Sequence, residues 1–266
     1  MTVSGSRESP SISVERALAV LEAVALRADG LSNSEISHRL KIPKSSASYI
    51  LRALERGGYL RRGREDGRYH IGLAVVSLSH RALAGLDVRE MSVPVLRQLV
   101  EACGLTAHLA IRDHGRAVYI EKVEAPGFVK MDTWLGRRMD LHSTGVGKAL
   151  LAYLPQAEVE EILENRIFSK HTPETITTLS KFLRELERVR ELGYAVDDEE
   201  NSIGVRCVAA PVFNSEGHVE TSLGVTGIVS QLDRTALPRV SELVKSAARK
   251  LSHQLGYVAP RKSTAV

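Results

Sequence analysis

Over the first sixty residues apolar positions return with a period near 3.6, which predicts three successive helices. Val14, Ala17, Leu18, Leu21, Val24 and Ala25 share one face of a helix expected to begin after Ser13. A second helix starts at Ser32, where Glu35 completes a reciprocal capping box and Leu31 faces Ile36 across the cap. It stops at Lys41-Ile42-Pro43, because proline suits the first turn of a helix and not its interior. In the third helix Ala47, Ile50, Leu51 and Leu54 form an inward stripe, and Gly57-Gly58 ends it. Tyr59 to Arg62 and Arg68 to Ile71 then read as two short strands joined through an Asp66-Gly67 turn. Two capped helices followed by a hairpin predict a winged helix-turn-helix.

Beyond the hairpin, Leu73 to Leu86 is apolar at helical spacing and carries few charges. Such a face would be exposed alone, so a linker helix is expected to pack on a partner, most simply its own copy in a second subunit. Asp87 to Cys103 reads as a helix interrupted near Pro94. The period then changes to two, with strands expected over Thr106 to Ile111, Val118 to Val123 and Phe128 to Trp134. A glycine turn leads into a helix from about Lys148, followed by helices over Gln156 to Glu164 and Leu179 to Leu192. Strands over Tyr194 to Asp197, Val205 to Val212 and Val219 to Val225 precede a last helix from Thr235 to Leu255. Strands bracketed by helices predict an α+β fold on an antiparallel or mixed sheet. The expected plan is a disordered arm over 1–12, the winged helix-turn-helix over 13–73, the linker helix over 74–86, a second domain over 87–258 and a disordered tail over 259–266.

Charge sharpens this reading. Through Leu73 there are twelve basic and eight acidic residues, a surplus of four, while the whole chain has 36 and 32, so the rest is neutral. The positive excess therefore sits on the segment expected to meet phosphate. Lys44, Ser45, Ser46, Ser48, Tyr49 and Arg52 are the candidate contacts of a recognition helix in the major groove of double-stranded DNA, and Arg61, Arg62, Arg64 and Arg68 those of the wing. No apolar run approaches the roughly 20 residues of a membrane span, and the first residues lack the apolar core of a signal peptide. A cytoplasmic protein is expected. Cys103 and Cys207 stand far apart and the nine histidines show no paired ligand spacing, so neither metal nor cofactor is expected. Gly145-Val146-Gly147-Lys148 fails as a phosphate loop, because His142 and Ala149 occupy the places of the required glycine and hydroxyl. The acids from Asp197 to Glu200 read as a solvated strand end. Cys207 with Asp197 and His218 leaves one alternative, a cysteine-dependent enzyme of small-acid metabolism with an accessory DNA-binding domain.

SVERAL, GLSNSEISHRLKIPKSSASYILRALERGGYL, DGRYHIGL, LHSTGVGKALLAYLP, ELERVRELGYAVDDEEN and GVRCVAAPVF, in that order, resemble the IclR family of bacterial transcription regulators over roughly Ser13 to Gly256. The resemblance implies a GAF-like effector-binding domain after the winged helix-turn-helix, a homodimer or homotetramer, and DNA affinity controlled by a small organic acid; two recognition helices on a two-fold axis would then ask for an inverted-repeat operator. Motif by motif it implies an effector site of Gly145, Val146, Asp197, Cys207, Gly224 and Thr226, with Phe128, Met131 and Trp134 as an apolar wall. Gly224 stands where a serine is common, which is expected to leave room for an acid larger than two carbons. Asp197, costly to bury without a donor, tilts that expectation towards a sugar acid over an aromatic one.

Overall fold

The computed structural model describes residues 10–63, 65–84, 87–164 and 168–258. The expected arm before Pro10, Arg64 of the wing and the tail from residue 259 thus lie outside the described residues. The chain divides into two compact units, Met1–Gly85 and Leu86–Val266.

The first unit contains α1 (Pro10–Ala25), α2 (Asn33–Leu40), α3 (Lys44–Arg56), β1 (Leu60–Arg62), β2 (Tyr69–Ile71) and α4 (Ala74–Ala84). Helix α1 begins ahead of the expected start, at a proline whose missing N–H is no loss in a first turn. The capping box of α2 forms as read: the Glu35 carboxylate accepts from the Ser32 amide at 2.7 Å, and the Ser32 hydroxyl accepts from the Glu35 amide at 3.3 Å. An eight-residue helix is marginal alone, so packing holds it. Ile36 joins Val20, Val24, Ala47, Leu51 and Leu60 in one core, where each large aliphatic side chain contributes about 1.5–3 kcal/mol of burial. The hairpin pairs Leu60 with Ile71 and Arg62 with Tyr69, and Leu31 bridges to Tyr69.

The second unit opens with α5 (Asp87–Cys103) and continues through β3 (Thr106–Asp113), β4 (Arg116–Val123), β5 (Arg138–Met139), α6 (Gly145–Leu151), α7 (Gln156–Glu164), α8 (Leu179–Leu192), β6 (Ala195–Asp198), β7 (Val205–Phe213), β8 (Val219–Ile228) and α9 (Leu237–Gln254). Its six strands run β5-β4-β3-β8-β7-β6 with every pairing antiparallel, which settles the antiparallel-or-mixed alternative. Three local expectations change. Helix α5 runs unbroken through Pro94, which lies on its exposed side, where the carbonyl it strands is open to water. Phe128 to Trp134 forms no strand, because the edge of β4 is taken by β5, with Ala117 opposite Met139. Helix α6 starts at Gly145 and not near Lys148, because Thr144 caps it by accepting from the Gly147 amide at 3.2 Å.

Strand alternation then builds the platform on which the second site stands. Asp197, Cys207, Thr226 and Thr106 form one cross-strand row, and Ala195, Ala209, Gly224 and His108 the next. Helix α6 lies over this face, tied to it by the Ser222 hydroxyl donating to the Val146 carbonyl at 3.1 Å. Gly147 is what lets α6 approach, since a Cβ there would stand 2.4 Å from the Leu141 carbonyl oxygen. Helices α5 and α9 pack on each other and on the opposite face.

Candidate nucleic-acid interface and buried cavity

Burial of Ala47, Ile50 and Leu51 fixes the roll of α3. That roll leaves Lys44, Ser45, Tyr49 and Arg52 exposed and Ser46 and Ser48 half-buried. Arg52 donates from Nε to the Ser48 carbonyl at 3.3 Å, which steadies the side chain along the helix. On the wing Arg61 is exposed, and Arg62 donates to the Gly67 carbonyl at 3.1 Å with its guanidinium 5.7 Å from the centre of the Tyr69 ring.

Arg68 behaves differently from its neighbours. It donates to the Asp29 carbonyl at 2.9 Å, the Gly30 carbonyl at 3.2 Å and the Glu35 carboxylate at 2.8 Å. The Ser32 amide and hydroxyl, then Arg68, hold the Glu35 carboxyl down at about 2. Arg68 therefore braces the wing against the start of α2. Arg64 lies outside the described residues.

Ser45, Ser46 and Tyr49 share a second environment. With Val14 and Leu18 of α1 and Val75 and Leu78 of α4 they line an apolar groove of about 860 Å³ inside the first unit. Tyr49 is 68% exposed, Val14 59% and Leu18 56%. The outward face of α3 is thus divided, with Arg52 open, Ser48 half-buried beside it and Tyr49 on the rim of the groove.

In the second unit a cavity of about 190 Å³ lies against the sheet, lined by Met131, Asp197, Cys207 and Thr226 together with Tyr119, Thr133, Arg137, Asn201 and Ser202. A smaller one of about 10 Å³ shares Tyr119, Thr144, Cys207 and Thr226 with it and is lined by His108, Gly145, Val146 and Gly224. Seven of the nine expected effector residues therefore converge here. Phe128 does not, for its side chain is fully exposed, and Trp134 is half-exposed with the Arg137 guanidinium 4.6 Å from its ring centre. Tyr119, His108, Thr133 and Arg137 were missed by sequence reading. The one signal for His108 was a polar residue at an inward position of a strand; a residue such as Arg137, in irregular backbone before α6, carries no periodic signal at all.

The polar groups beneath this cavity are mostly spoken for. Asp197 is 1% exposed and accepts from the Glu200 amide at 2.8 Å and the Asn201 amide at 3.2 Å, while burial pushes it up to about 6. Lys148 is equally buried; its ammonium donates to the Val196 carbonyl at 2.8 Å and pairs with Glu200, with Glu185 3.7 Å away. Burial holds Glu200 at about 7 despite that lysine. Asp198 pairs with Arg206, and Glu199 accepts from the Gly204 amide at 2.7 Å. The acidic run is thus an internal network, not the solvated strand end expected. Burial pushes the Cys207 thiol well above its ordinary value, and the Thr226 hydroxyl donates to its sulfur at 3.3 Å. Gly224 opens no extra room: a Cβ there would stand 2.6 Å from the Val208 carbonyl oxygen and 2.7 Å from the Ala209 Cβ. The glycine admits its neighbouring strand, not a larger ligand.

Among the described residues no cluster of three metal-ligating side chains occurs, and no helix is long and apolar enough to cross a membrane. Residues 13–64 match the model of the IclR helix-turn-helix domain, and 80–253 that of the bacterial transcriptional regulator IclR C-terminal domain. The chain is 36% identical over 247 residues to the HTH-type transcriptional regulator XynR of Escherichia coli K12, covering 93% of this chain and 98% of that one. It is 33% identical over 243 residues to the HTH-type transcriptional repressor AllR of the same strain, covering 91% and 90%. The crystal structure of the Thermotoga maritima IclR superposes with a TM-score of 0.76 at 32% identity, covering 93% of this chain and all of that one.

Proposed function

Since the chain belongs to the IclR family of bacterial transcriptional regulators, we propose that it is a cytoplasmic homo-oligomer whose hold on an inverted-repeat operator is set by a small organic anion in the cavity against the sheet. The observation that carries the effector half is the lining of that cavity. Arg137 supplies a cation, with the exposed Asp132 carboxylate 3.7 Å away, and Thr133, Asn201, Ser202 and Thr226 supply hydroxyl and amide groups around it, which suits a carboxylate bearing further oxygens. Asp197 already accepts two loop amides, so the preference for a hydroxylated acid rests on these side chains and not on the aspartate.

The DNA half rests on α3 and the wing. Ser48 and Arg52, with Lys44 at the helix start, read base edges and phosphates, and Arg61 and Arg62 follow the backbone. A second copy covers the apolar groove between α1, α3 and α4, which pairs two recognition helices on half-sites about one helical turn, roughly 34 Å, apart. The sense we propose is repression, as AllR is named. Effector binding changes operator affinity only through its differential affinity for the two arrangements of a linked pair. A cysteine-dependent enzyme is disfavoured, because burial keeps the Cys207 thiol protonated and a thiol is a poor nucleophile.

The test is selection of an operator from random duplexes, followed by mobility shifts with and without hydroxylated and plain organic acids. Acids that bind yet leave operator affinity unchanged would remove the cavity from the mechanism.

A further inference from the structure

His108 stands on β3 in register with Gly224 of β8 and Lys122 of β4, on the face covered by α6. Its side chain is 1% exposed, and the Tyr119 ring lies 4.5 Å from it, centre to centre. Nε2 is 2.8 Å from the Thr133 hydroxyl, whereas Nδ1 is buried without a hydrogen-bond partner. Burial, then the charges of Lys122 and Arg137, pushes the ring down to about 3, so it is neutral in a cell. A neutral imidazole has one donor and one acceptor, so whichever role Nε2 plays towards Thr133, Nδ1 needs the other. Buried polar atoms are almost always paired, and this one waits beside a cavity.

The size of that cavity narrows the answer. Holding one water-sized group takes roughly 10–15 Å³, and the recess lined by His108 offers about 10 Å³. Arg137 lines only the larger space and His108 only the smaller. We infer that His108 selects hydroxylated effectors: its Nδ1 pairs with a hydroxyl at the end of the ligand remote from the carboxylate that Arg137 meets. A hydroxyl both donates and accepts, so it satisfies either tautomer, and a hydrogen or methyl satisfies neither. A site built around such a group rejects the analogue that lacks it, because the buried atom is then left unpaired.

This inference rests on the effector reading above, and the experiment separates the two. Calorimetry on the full chain uses three matched pairs: 4-hydroxybenzoate and benzoate, 3-hydroxybutyrate and butyrate, gluconate and hexanoate. Wild type is expected to bind the hydroxylated member of at least one pair tenfold or more tightly than its partner. In His108→Gln, whose amide keeps the reach of Nε2 and lacks Nδ1, that ratio is expected to fall to near one. A ratio kept in the variant, or absent in wild type that does bind acids, overturns the role of His108. No binding of any of the six to wild type overturns the effector reading and the inference with it. Should the variant fail to fold, the same question is put to wild type with nitrogen-15 labelled histidine: the His108 Nδ1 resonance must move with the hydroxylated acid and stay with the plain one, and an unmoved resonance overturns the assignment.

Discussion

Lys148 and Glu200 form an ion pair whose side chains are 1% and 9% exposed, joining α6 to the loop after β6. Removing one partner of such a pair leaves the other charge buried and unmatched, which costs about 3–5 kcal/mol, although replacing both is often close to neutral. Lys148→Met is expected to fall in that range in urea unfolding, and Lys148→Met with Glu200→Gln to cost less than the single change. A single variant within about 1 kcal/mol of wild type would contradict the structural role assigned to this lysine.

Arg61 and Arg68 are predicted to separate phosphate contact from bracing. Each phosphate neutralised contributes about 0.9 to the slope of log affinity against log salt. Arg61→Ala should lower that slope by about one unit. Arg68→Ala should leave it unchanged and weaken hydrogen-exchange protection at the Leu31 and Tyr69 amides, which pair across the site that Arg68 ties down. The reverse pattern would return Arg68 to the DNA face.

Gly224→Ser tests what the glycine is for. With the Ala209 Cβ 2.7 Å from the place of the new Cβ, overpacking is expected to cost about 1–3 kcal/mol. Adding Ala209→Gly should recover part of it. A serine tolerated at no cost in thermal unfolding would mean that the space is open after all.

The pH dependence has a definite sign at Asp197. Its folded value, raised by burial from 3.8 to about 6, exceeds the unfolded one. Between those values the unfolded chain sheds a proton that the folded chain keeps, so this group makes stability fall as pH rises from about 4 to about 6, by at most roughly 3 kcal/mol. Asp197→Asn keeps an oxygen for the loop amides and lacks the titration. The melting temperature of the variant minus that of wild type should therefore climb across this window, and a flat difference would refute the shift.

The helix-turn-helix and wing were legible because their determinants are local. The Ser32–Glu35 box, Pro43, the Ala47–Ile50–Leu51 stripe and the Asp66-Gly67 turn each act within a few residues, where period and capping chemistry operate. Apart from the strand expected over Phe128 to Trp134, the order of strands and helices in the second unit came through for the same reason. What escaped depends on contacts between residues distant in sequence. Arg68 meets Glu35 thirty-three residues away, and Lys148 meets Glu200 fifty-two away, so neither could be told from a solvated or phosphate-binding charge by spacing. Register, and not residue type, set Ala209 against Gly224 and so closed the space that a missing serine seemed to open. His108 and Arg137 became site residues only when β3 and the segment before α6 were brought to one cavity. Local patterning determines which elements form, but desolvation and partnering of a polar group are properties of the packed sheet, and they decide what each charge does.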